Sequence, residues 1–152
     1  MPARPSETTA ADLLTAVVGL ISNWTAAVTQ GSIAAAINLD IAEGDVRALY
    51  VIGQHRAGVQ PAALAAELRL SRPTMSKTLS RLATAGLIDR TPSRTDARSA
   101  LIELSESGQT AYDGLVLYGI RMVERATAGL RPDEIGTVTE VARKLLQPEP
   151  SA

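Results

Sequence analysis

Residues 61–108 read PAALAAELRLSRPTMSKTLSRLATAGLIDRTPSRTDARSALIELSESG. Pro61 stands where a first-turn proline is tolerated, because the N–H it lacks has no helical acceptor there anyway. Ala62, Leu64, Ala65 and Leu68 then complete a short helix, and Leu70 plugs the turn that follows. Ser71 is a good N-cap for a second helix, and Pro73 is acceptable only because it falls in the first turn of that helix. Met75, Leu79 and Leu82 repeat at spacings of four and three, so they form a buried seam. The opposite side presents Arg72, Thr74, Ser76, Lys77, Ser80 and Arg81. Gly86 ends the helix. Two strand-length runs, 87–91 and 100–104, flank the polar, cationic stretch Pro92-Ser93-Arg94-Thr95-Asp96-Ala97-Arg98-Ser99, which is the pattern of a hairpin. Helix, turn, helix and wing in that order predict a winged helix-turn-helix.

Charge patterning agrees. The whole chain of 152 residues carries a formal net charge of −1, which looks wrong for a nucleic-acid binder. Resolved along the chain, residues 1–50 sum to −3, 51–70 to +1, 71–98 to +4 and 99–152 to −3. The positive charge therefore lies in the segment that the pattern nominates for DNA.

Working outward, Thr8 or Thr9 can cap a first helix whose apolar positions Leu13, Val17, Leu20, Trp24 and Val28 form one stripe, expected to be buried. Gln30-Gly31 should close it, and Ser32 should cap a shorter helix over 33–38. A further helix is expected over 42–54, with Gly58 after its end and a very short strand at Val59. Beyond the wing, Ser105 can cap a long helix running toward Gly129, with Tyr112, Leu115, Gly119, Met122 and Ala126 on one face. Pro132, Asp133 and Glu134 start a last helix that carries Ile135, Val138, Val141, Ala142 and Leu145. The expected fold class is thus mainly α with a small β-wing. Length favours a single domain spanning residues 1–152.

Composition excludes several functions. The chain has no cysteine, so it has no disulfide framework, thiolate metal site or thiol redox switch. A single histidine, His55, makes an all-protein zinc site unattractive, and no metal or cofactor is expected. There is no nucleophile elbow and no glycine-rich phosphate loop. Thr74-Met75-Ser76-Lys77 matches the S-x-x-K nucleophile pattern only superficially, so an enzyme is not expected. Leu13–Ile21 is too short to span a bilayer, and Glu7 and Asp12 lie in its flank; a cytoplasmic protein without membrane association is the expectation. His55, near a helix C-terminus, reads as a favourable dipole partner when protonated.

With the elements in place, the chain resembles the MarR (multiple antibiotic resistance regulator) family of transcription factors over nearly its full length. The matching phrases are Gln60-Pro61-Ala62-Ala63-Leu64-Ala65, then Leu70-Ser71-Arg72-Pro73-Thr74-Met75-Ser76. After them come Leu82 with Ala85-Gly86-Leu87-Ile88, Asp96-Ala97-Arg98 in the wing, and Leu104-Ser105-Glu106-Ser107-Gly108. The resemblance implies a homodimer built from helices in 1–30 and 106–147, around a winged module over 42–104 with its recognition helix at 71–85 and its wing at 88–104. It also implies a cleft for small, often aromatic, effectors that release DNA. Two departures stand out: Ala42 replaces the usual Ser or Thr helix cap, and the cysteine used by oxidant-sensing members is absent.

A recognition helix reads base edges chiefly with its first turn in the major groove. Pro73, Thr74, Ser76 and Lys77 are the candidates for bases and thymine methyls; Arg72 and Arg81, with the hydroxyls of Ser71 and Ser80, are the candidates for phosphates. Arg98, in the wing, suits a narrow minor groove, Asp96 would orient an arginine, and Arg94 would hold backbone. Expected partners are double-stranded DNA with a pseudo-palindromic operator, a second copy of the chain, and a small effector. Trp24, Tyr50 and Tyr112 are the candidate effector contacts. A winged-helix protein-interaction or ligand-binding module that has lost DNA binding is the alternative. Repressor or activator is left open, because that sign depends on operator position.

Overall fold

The computed structural model describes residues 5–93 and 100–147; Arg94, Asp96 and Arg98 fall outside them. The helices are α1 (Pro5–Thr25), α2 (Ala27–Ala36), α3 (Glu43–Gln54), α4 (Pro61–Leu68), α5 (Arg72–Thr84), α6 (Glu106–Ala126) and α7 (Pro132–Leu145). Strands β1 (Ile88–Pro92) and β2 (Ala100–Leu104) pair antiparallel in the register Ile88↔Leu104 to Pro92↔Ala100. The expected fold class is borne out: α4, the turn and α5 form the helix-turn-helix, and β1 and β2 are the stem of the wing. The chain divides into two compact units, Met1–Val116 and Leu117–Ala152.

The core of the first unit lies where α3, α4, α5 and β2 meet. Leu49, Ile52, Leu64, Met75, Leu79, Leu82 and Ile102 are almost fully buried, and each such side chain contributes about 1.5–3 kcal/mol of transfer free energy. The expected Met75/Leu79/Leu82 seam is therefore real. Val59 forms an isolated bridge to Ile102, which makes a third, minimal strand beside the hairpin. Arg69 turns the chain between α4 and α5 with φ 54°, and its N–H bonds back to the carbonyls of Ala65 and Ala66.

Three expectations are corrected. The first helix does not run to Gln30-Gly31; it breaks at Ala26, which takes an extended conformation (φ −67°, ψ 135°), and α2 runs through Gln30, Gly31 and Ser32. Ser32 is accordingly no cap: its hydroxyl donates to the carbonyl of Val28 at 2.9 Å, one turn back. Alanine on both sides of the break supplies no helix-stop signal, because alanine is the best helix former. Finally, the α1 stripe is not buried within the chain: Leu13, Leu14, Val18, Leu20, Ile21 and Trp24 are all exposed, as is Val28 at the start of α2. No single helix among the described residues is long and apolar enough to cross a membrane.

Other local expectations hold. Ala42 precedes α3 as an N-cap without a side-chain hydrogen bond. Ser105 accepts the N–H of Gly108 at 3.0 Å and donates to the carbonyl of Gly86. It thereby caps α6 and ties it to the end of α5. In α7, Pro132 occupies the first turn and the N–H of Arg131 donates to Glu134 at 2.8 Å. His55, at the C-cap of α3, has its Nε2 2.8 Å from Glu67 on α4.

Candidate nucleic-acid interface

The recognition helix α5 begins with an N-cap whose geometry the sequence announced. The Ser71 hydroxyl accepts the Thr74 N–H at 3.2 Å and lies 2.8 Å from the Thr74 hydroxyl. That bond satisfies one of the unpaired donors at the helix start, and the positive end of the helix dipole faces outward there. Ser71, Arg72, Pro73, Thr74, Ser76, Lys77, Ser80 and Arg81 are all exposed, while Met75, Thr78, Leu79 and Leu82 face inward. The division of α5 into a reading face and a seam is thus as expected.

The polar side chains on that face are not equivalent. Ser80 donates its hydroxyl to the carbonyl of Ser76 at 2.9 Å and keeps acceptor capacity for a partner. Arg81 behaves differently from the other cations of the helix. Its Nε donates to Asp45 Oδ2 at 2.7 Å and its Nη2 to Asp45 Oδ1 at 2.6 Å, a bidentate fork. Nη2 also reaches the hydroxyl of buried Thr78 at 3.2 Å. The hydrogen bond from Asp45 raises the pKa of the guanidinium further above an already high value, so Arg81 stays charged. Two of its nitrogens are therefore turned to α3 and not outward.

Asp45 is the residue that sequence reading missed. It is 1% exposed, although it is ionisable and lies in the first turn of a helix. The available signal was a carboxylate one position before the buried Val46 in an otherwise apolar run, together with an arginine next to a seam leucine. Neither says which arginine it meets.

Arg90 is the second residue missed. A shallow cavity of about 310 Å³ lies between α4, α5 and β1. Pro61, Ala65, Met75 and Leu79 line its apolar part, and Arg72, Ser76 and Arg90 its polar part. Two arginines from different elements are thereby brought to one edge of the recognition helix.

The aromatic candidates separate. Tyr50 on α3 and Tyr112 on α6 meet with ring centroids 5.7 Å apart and planes tilted by 40°. Gly53 makes this contact possible, because a β-carbon there would lie 2.1 Å from the Tyr112 ring. Trp24, in the last turn of α1 and exposed, takes no part in that ring pair.

The comparisons agree with this architecture. The family model described as MarR family matches residues 37–99. The fold is similar to that of FabT from Streptococcus pneumoniae, solved in complex with DNA, at 22% identity and a TM-score of 0.69, covering 88% of this chain and 93% of that one. It is similar to RV1404 from Mycobacterium tuberculosis at 22% identity and a TM-score of 0.67, covering 99% and 100%. A MarR family protein from Bacillus stearothermophilus shares the fold at 19% identity and a TM-score of 0.71, covering 91% and 94%. No curated protein matches significantly.

Proposed function

From a chain whose residues 37–99 match the MarR family and whose fold is that of MarR-family regulators, we infer a dimeric, sequence-specific DNA-binding transcriptional regulator. We propose that it acts as a repressor of nearby genes and is released by a small effector. The observation that carries the reading is the exposed face of α5, where Pro73, Thr74, Ser76 and Lys77 stand over a fully apolar seam. Such a face fits the major groove, and Ser71, Arg72 and Ser80 flank it as phosphate contacts. Arg90, at the edge of the same helix, joins them in this reading. Arg94 and Arg98 in the wing extend the footprint, with Asp96 orienting one of them.

Dimerisation is supported by unpartnered apolar surface in both units. In the first unit, Leu14 on α1 is 63% exposed and Val28 on α2 is 78% exposed. In the second, Leu117, Ile120 and Val123 on α6, with Val138 and Leu145 on α7, are exposed. Monomeric proteins rarely leave so many large apolar side chains in contact with water on successive helices. A second copy covering them would give two recognition helices related by a two-fold axis, and hence a pseudo-palindromic operator with half-sites about 10 base pairs apart.

Effector control rests on the Tyr50–Tyr112 pair, whose rings offer an aromatic surface between α3 and α6. Trp24 is kept as a third candidate contact. The test is selection of bound duplexes from random DNA. Affinity for the selected operator is then measured at several salt concentrations, with and without small aromatic acids as competitors. Enrichment of a pseudo-palindrome and a steep salt dependence are expected. No enrichment overturns the regulator and favours a winged-helix module that binds proteins or ligands.

A further inference from the structure

The seam that seats α5 on the rest of the winged module is made of Met75, Leu79 and Leu82, and apolar packing is weakly directional. It holds the helix down without fixing its rotation tightly. The bidentate contact between Arg81 and Asp45 is of another kind, because a planar fork demands both distance and plane. Asp45 is itself held rigidly. It is 1% exposed in the first turn of α3, between Ala42, whose carbonyl takes its N–H at 2.8 Å, and the buried Val46. Arg81 is half-exposed, one position from the seam residue Leu82 and one turn beyond Lys77 on the reading side. Thr78, buried between them on the same helix, gives Nη2 its third contact at 3.2 Å.

We propose that Asp45 is a positioning residue for DNA recognition. Through the Arg81 fork it sets the rotation of α5 about its axis, so that Thr74, Ser76 and Lys77 meet base edges in register, although Asp45 itself never touches DNA. The proposal rests on the DNA-binding reading above and reassigns Arg81 from phosphate contact to helix positioning. The magnitude is sufficient. Side-chain atoms stand about 5–6 Å from a helix axis, so a rotation of about 20° moves them by about 2 Å. A hydrogen bond to a base edge tolerates only a few tenths of an ångström around 2.9 Å. Loss of the fork would therefore cost base contacts while leaving the apolar seam closed.

The experiment measures affinity of the full-length protein for its selected operator, at several salt concentrations, for D45N, R81Q, R81K and the double variant D45N/R81Q. Circular dichroism and sedimentation check that each variant folds and keeps the oligomeric state of the wild type. A positioning role predicts about a tenfold loss for D45N and for R81Q, and no larger loss for the double variant, because both remove one interaction. It also predicts an unchanged slope of log affinity against log salt and no rescue by R81K, whose ammonium cannot form the fork. Wild-type affinity in D45N overturns the proposal. So does a slope reduced by about 0.9 in R81Q, the signature of a lost phosphate contact. Should D45N fail to fold, R81Q and R81K decide alone by the same slope criterion. A wild-type protein that enriches no sequence overturns the DNA-binding reading and this inference together, whereas enrichment with an indifferent D45N overturns this inference only.

Discussion

A β-carbon on Gly108 would lie 1.8 Å from the carbonyl oxygen of Leu87 and 2.8 Å from its carbonyl carbon. Gly108 sits in the first turn of α6, and Leu87 links the recognition helix to the wing. Their approach joins α6 directly to the backbone of the DNA-binding module. Ser105 reinforces the junction by accepting the Gly108 N–H and donating to the carbonyl of Gly86.

Gly108→Ala should therefore be strongly destabilising, because the clash is with backbone and no side chain can rotate away. Overpacking of this kind costs about 1–3 kcal/mol, and a rigid backbone contact belongs at or above the upper end. Urea denaturation followed by circular dichroism measures it. A variant with wild-type stability would mean that α6 can shift without cost.

On the apolar face of α1, Leu14→Glu should weaken or abolish self-association, since a carboxylate would be buried at the proposed seam between copies. Analytical ultracentrifugation reads the outcome directly. Trp24, the single tryptophan and already half-exposed in one chain, supplies a second reading. Its fluorescence should shift to the red on dissociation. A substitution at a merely solvated position would change neither.

Asp89 and Glu103 face each other directly across the hairpin, two like charges in register. Such a pair is unfavourable, and Asp89→Lys should stabilise the wing by about 0.2–1 kcal/mol. Thr91 donates to Glu103 at 3.2 Å and would keep that bond. Thermal unfolding checks the direction, and the gain should shrink in high salt.

Within the proposed interface, Arg72→Ala and Lys77→Ala should separate by type. Loss of a phosphate contact at Arg72 lowers the salt slope by about 0.9 and weakens all sequences alike. Loss of a base contact at Lys77 relaxes sequence preference at one position and costs about 1–3 kcal/mol on the preferred operator. Arg98→Ala should likewise cost about 1–3 kcal/mol while leaving the fold intact. Salt-controlled anisotropy titrations against the selected operator and its point variants distinguish these results.

Signals that act over a few residues were legible in the chain. Ser71 bonds three residues ahead, Pro61, Pro73 and Pro132 tolerate only first turns, and Met75, Leu79 and Leu82 declare their face by helical period. Together they determined the winged helix-turn-helix and its reading face, and local backbone physics suffices for that. The break at Ala26 escaped, since alanine favours the helix on both sides of it. Tertiary structure alone decided which groups meet across long separations. Asp45 and Arg81 are 36 positions apart, and nothing in either neighbourhood specifies the other. The Tyr50–Tyr112 contact and the approach of Gly108 to Leu87 depend on how whole helices pack. So does the exposure of the α1 stripe, because a periodic apolar face states only that it must be covered. Whether the cover comes from the same chain is settled by the packing of all the other helices.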